Sequence, residues 1–70
     1  MNYQHQVIQN HPRKIIYEFY KEIPYIPGVG DDIVFPEILW KDGERFKVTS
    51  VHHYFLSDLI VINVNKTTGG

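Results

Sequence analysis

The chain has 70 residues, seven Lys and Arg against eight Asp and Glu, and no cysteine. That is one domain without room for a second core, without a disulfide framework, and without a thiolate metal site or thiol nucleophile. A formal net charge of −1 gives no strong field to draw in a polyanion or an anionic membrane. A polar start and no membrane-length apolar run predict a cytoplasmic location.

A single core this small is marginally stable. Five Tyr, four Phe and one Trp must supply much of the packing, or a partner chain must add to it. Residues 1–13 are weakly patterned. Val7 and Ile8 are the sole adjacent apolar pair there, and Asn10-His11-Pro12 reads as a turn because a residue before proline avoids the helical region. The expectation is a weakly ordered segment, either an edge strand or a flexible arm.

Residues 14–23 alternate. Ile15, Tyr17, Phe19, Lys21 and Ile23 share one face of a strand, and Ile16, Glu18, Tyr20 and Glu22 share the other. A helical stripe also fits, but β-branched and aromatic enrichment favours strand. Pro24, Pro27, Gly28 and Gly30 then interrupt pairing, and Asp31 closes a turn by accepting local backbone N–H bonds. Residues 32–35 form a short strand stopped by Pro36, and 37–40 a brief extended piece ending at Trp40.

Asp42-Gly43 between apolar runs is a hairpin signal. Residues 45–55 make a long strand in which Val51 and Phe55 are out of phase with Phe46 and Val48. One extra residue near Thr49-Ser50, a bulge, restores the phase. Leu56-Ser57-Asp58 is a second turn. Residues 59–64 are continuously apolar, which suits a central strand. Residues 66–70 read as a flexible tail. The elements predict an all-β fold, a small SH3-like barrel or roll of about five short antiparallel strands. Its expected core is Ile15, Tyr17, Phe19, Ile33, Phe46, Val48, Val51, Ile60 and Ile62.

The order Pro27-Gly28-Val29-Gly30-Asp31-Asp32-Ile33, then Gly43-Glu44-Arg45-Phe46-Lys47-Val48-Thr49-Ser50-Val51, then Ile60-Val61-Ile62-Asn63-Val64, resembles small uncharacterised β-barrel proteins of bacteria and their phages. The resemblance spans residues 24–64. It implies a small-barrel fold and a bacterial or phage setting, and no activity.

Catalytic chemistry finds little support. His52 and His53 are adjacent on a strand and point to opposite faces, and His5 and His11 add no metal-ligand spacing. Ser50 and Ser57 lack a nucleophile elbow, and Gly28-Val29-Gly30 lacks the third Gly, the Lys and the helix of a phosphate loop. No catalytic, metal or cofactor-binding residue is assigned. The chain reads as a non-enzymatic protein-binding or assembly module, either a homo-oligomer or docked on a larger protein, with Tyr25, Trp40, Tyr54, Arg45 and Lys47 as its interaction surface. Surplus aromatics carry that reading, since Tyr and Trp anchor interfaces. The alternatives are a single-stranded nucleic-acid binder using Arg45, Lys47 and nearby aromatics, and a ubiquitin-like or sulfur-carrier protein acting through Gly69-Gly70. The second resembles such proteins in length and ending, but residues 27–31 cannot form the helix that family requires.

Overall fold

A computed structural model describes residues 2–33 and 44–68. Val34, Phe35, Trp40, the Asp42-Gly43 turn and Gly69-Gly70 lie outside the described residues. Those described are all strand, turn and loop, without a helix, as the alternation predicts. Five strands, β1 (Tyr3–Asn10), β2 (Arg13–Lys21), β3 (Asp32–Ile33), β4 (Glu44–Tyr54) and β5 (Leu59–Thr68), form one curled half-barrel sheet. Its order is β2-β1-β5-β4-β3.

One pair departs from an all-antiparallel sheet: β1 and β5 run parallel, from Gln4 opposite Leu59 to Gln9 opposite Val64. The segment expected to be loose is thus an interior strand, paired with β2 on one side and β5 on the other. Its alternation is real but disguised. Tyr3, His5, Val7 and Gln9 face the core, while Gln4, Gln6 and Ile8 face outward with Leu59, Val61 and Asn63. The tail is also more ordered than expected, because Lys66, Thr67 and Thr68 continue β5 opposite Phe46, Arg45 and Glu44.

The core is Val7, Ile33, Phe46, Val48, Ile60, Ile62 and Val64, with Tyr3, Ile16, Tyr17, Phe19 and Val51 packed against it. Ile15 is a correction. A register shift between Val7 and Ile8 inserts Ile16 as an extra residue, so Ile15 falls opposite Ile8 on the outer face, half exposed. The expected bulge in β4 is present: the register slips between Val48 and Ser50, and Val51 returns to the core face opposite Ile62. β5 is central and buried from Ile60 to Val64 on both faces.

Two turns match the sequence. His11 and Pro12, joined by a cis peptide bond, link β1 to β2, and the Gln9 side-chain amide donates to the His11 carbonyl at 3.0 Å. Residues 55–58 link β4 to β5, where the Ser57 N–H donates to the Tyr54 carbonyl at 3.0 Å. Asp58 closes that turn with φ of 50°, a conformation aspartate tolerates better than most side chains.

Residues 22–31 form a strap over the core face. It leaves the end of β2 and reaches β4, where the Gly30 N–H donates to the Val48 carbonyl at 2.8 Å and the Val48 N–H to the Asp31 carbonyl at 2.9 Å. The Asp31 carboxylate accepts from the Gly28 N–H at 2.8 Å, as its turn role predicts. Gly30 sits at φ of 94°, which a side chain at that position would strain. Pro27 is buried.

Candidate interaction rim

Strand register fixes which side chains share an end of the sheet. Lys21 of β2 stands opposite Tyr3 of β1, and Leu59 of β5 stands opposite both Gln4 of β1 and Tyr54 of β4. The end of β2, the start of β1, the start of β5 and the end of β4 therefore form one rim. From β2 to β4 that rim is three strand spacings wide, about 14 Å. The Gln4 N–H donates to the Asp58 carbonyl at 2.9 Å, and the Tyr3 ring meets the His53 ring edge-on at 5.9 Å.

Apolar side chains gather on this rim. Leu56 is 90% exposed and Phe55 73%, both in the tight β4–β5 turn, where polar residues are usual. Ile23 is 78% exposed where the strap departs, and Tyr25 and Tyr54 are also exposed. An open hollow lies against residues 21–25. Single exposed apolar residues are ordinary on a protein surface; here Ile23, Tyr25, Tyr54, Phe55 and Leu56 share one rim.

Tyr25 and Tyr54, expected at the interaction surface, do share this rim. Arg45 and Lys47 do not. They lie at the far end of β4, opposite Thr67 and Asn65. Arg45 and Tyr54 are nine positions apart, about 30 Å of strand. Lys47 also stands opposite Asp32. A continuous basic and aromatic groove is thus not assembled from the described members of the expected set. Trp40 lies outside the described residues.

The residue that sequence reasoning passed over is His5. It is fully buried on the core face of β1 and stacks on Phe19 at 4.4 Å with an 8° interplanar angle. Its Nδ1 is 3.0 Å from the Tyr3 carbonyl oxygen, and its Nε2 accepts from the Tyr25 N–H at 2.8 Å. A carbonyl can only accept and a backbone N–H can only donate. The ring is therefore neutral, with its proton on Nδ1. Burial pushes its pKa below the usual 6.5, and the charge of Lys21 adds to that. Hydrogen bonds to the Tyr3 and Phe19 backbone act in the opposite direction. Sequence alternation with Tyr3 and Val7 was the available signal, hidden because histidine counts as polar.

The outer face carries linked polar side chains beside its apolar Ile8, Ile15, Leu59 and Val61. Gln4 and Gln6 donate to the Glu18 carboxylate at 3.1 and 3.4 Å. The Asn10 amide donates to Thr49 Oγ1 at 3.0 Å and to Asn65 Oδ1 at 2.9 Å. His52 and His53 fall on opposite faces, opposite Val61 and Ile60. Among the described residues no group of three or more His, Asp or Glu could hold a metal ion, and no helix is long and apolar enough to cross a membrane. No family model, curated protein or solved structure matches the chain.

Proposed function

We propose that the chain is a small non-enzymatic protein-binding or assembly module that self-associates through the rim formed by Ile23, Tyr25, Tyr54, Phe55 and Leu56. In this reading the curled sheet serves as an SH3-like platform in the cytoplasm of a bacterium or a phage-infected cell. The observation that carries it is the pair Phe55-Leu56, held out to solvent by a turn whose backbone is closed by Ser57 and Asp58. Covering such side chains recovers about 25 cal/mol per Å² of apolar surface, and a two-fold contact would use the same rim twice.

The test is light scattering over a concentration series for the wild type and the Phe55→Ser/Leu56→Ser double variant. The wild type should associate and the variant should stay monomeric. Because both side chains are exposed, the variant's folding stability should change by no more than about 0.5 kcal/mol. A wild type that remains an 8.3 kDa monomer throughout would overturn self-association by this rim.

A further inference from the structure

We propose that His5 is a proton-operated latch: the neutral ring holds the first half of the strap on the sheet, and a proton on Nε2 releases it, moving Ile23 and Tyr25 relative to the rest of the rim. The consequence for association rests on the rim reading above. The latch itself does not.

The strap is held unequally along its length. Residues 27–31 are fixed by the buried Pro27, the Gly28–Asp31 turn and two backbone hydrogen bonds to Val48. Among the described residues, the hydrogen bond tying residues 22–26 to the sheet is the one from the Tyr25 N–H to His5 Nε2. Tyr25 also makes ring and charge contacts. Tyr25 lies 6.3 Å from Phe19, and the Lys21 ammonium sits 5.7 Å from the centre of the Tyr25 ring. A protonated Nε2 would point an N–H at the Tyr25 N–H. Two donors face each other, and the bond becomes a repulsion.

The groups around the ring act on a charge there in both directions: burial, the largest effect, and Lys21 oppose it, while the Tyr3 and Phe19 backbone favour it. From β2 come Phe19 and the Lys21 ammonium. From β1 comes Tyr3, which carries the carbonyl acceptor. From the strap comes the Tyr25 N–H, with Glu22 nearby in sequence. On β5 the opposite residue is Ile60, and beyond it on β4 is His53. Glu18 belongs to the outer face with Gln4 and Gln6. The unfolded chain takes up a proton near pH 6.5, whereas the folded chain does so only at lower pH. Stabilisation by neutral His5 is thus complete above pH 6.5 and is lost as pH falls through the folded value. The strap's free half is the part that can yield first.

The experiment is amide hydrogen exchange by NMR on the wild-type chain from pH 7.5 downward through the titration of the His5 ring, read as protection factors. The Tyr25 amide should lose at least tenfold protection relative to the Ile62 amide of the central strand. As that protection falls, the His5 ring should change from the neutral Nδ1–H form to the doubly protonated form. In His5→Phe, which keeps a ring against Phe19 but offers no acceptor, the Tyr25 amide should be unprotected at every pH. Two results overturn the latch: Tyr25 protection that stays constant while the His5 ring takes up its second proton, or its loss in step with Ile62, which is global unfolding. If His5→Phe does not fold, the wild-type titration decides alone. Light scattering separates the two proposals, since a working latch in a strict monomer refutes the rim and leaves the latch standing.

Discussion

Replacing Asn63 by Val should stabilise the protein, although it removes a hydrogen bond. Asn63 lies at the middle of β5, the central strand, and is only 8% exposed. Its amide donates to Ser50 Oγ at 3.0 Å, but its Oδ1 has no partner among the described residues. Turning the amide over would let the Ser50 hydroxyl donate to Oδ1 and would strand the NH2 instead. One buried polar atom goes unmatched either way. Such an atom costs about 1–3 kcal/mol, whereas the hydrogen bond lost to Ser50 contributes about 0.5–1.5 kcal/mol. Valine also suits a buried strand better, on a scale spanning about 1 kcal/mol. The hydrogen bond from Thr49 Oγ1 to residue 63 goes to the backbone carbonyl and is kept. The sum is a gain of about 1–2 kcal/mol. At about 4–8 °C per kcal/mol for a domain of this size, the melting temperature should rise by roughly 4–16 °C. Urea denaturation measures the gain directly, with an unchanged m-value showing that the native state is the same. A loss of 1 kcal/mol or more would refute the reasoning, because it would mean that Oδ1 is satisfied, by bound water for example, in the working protein.

The other predictions follow from burial and position. Phe46→Ala, in the core opposite Ile33, should cost about 3–5 kcal/mol. That is comparable to the whole stability expected of so short a chain, so circular dichroism at 25 °C should show a largely unfolded population, and a normal melting curve would contradict the core assignment. Charge reversal of Arg45 and Lys47, roughly 23–30 Å of strand from Tyr54, should leave self-association unchanged. Strong salt-dependent binding of single-stranded nucleic acid that vanishes in this variant would displace the rim reading. Deleting Gly69-Gly70 should likewise leave association intact, whereas loss of function on that deletion would favour a carrier acting through its terminal carboxylate.

The sequence carried the strands whose apolar phase is clean and lost those whose phase is disguised. Residues 59–64 are apolar without interruption, and burial on both faces follows. The slip between Val48 and Val51 was legible because two residues out of phase need one inserted residue. A comparable slip in β2 was not legible. Ile15, Tyr17 and Phe19 keep perfect alternation, and only the pairing with β1 shows that Ile16 is the inserted residue. β1 was hidden for another reason. A strand in the middle of a sheet is expected to be apolar, yet this one buries His5 and Gln9. Both are satisfied by hydrogen bonds to backbone groups, those of Tyr3 and Tyr25 for His5 and those of His11 and Pro12 for Gln9. Polarity on a residue scale cannot register a partner supplied by the fold.

The site was half legible for a related reason. Tyr25 and Tyr54 are far apart in the chain but share an end of the sheet, because β1 starts where β2 ends and β5 starts where β4 ends. Arg45, Lys47 and Tyr54 are near in the chain but spread along the extended β4, the geometry that separates sequence neighbours most. The parallel pairing of β1 with β5 decides the matter. It brings the first strand's beginning beside the Phe55-Leu56 turn, and thereby sets His5 under the strap that carries Tyr25. An antiparallel β1 would have left His5 at the other end of β5, away from Ile60. The same pairing thus builds the rim and places beneath it the one fully buried imidazole among the described residues.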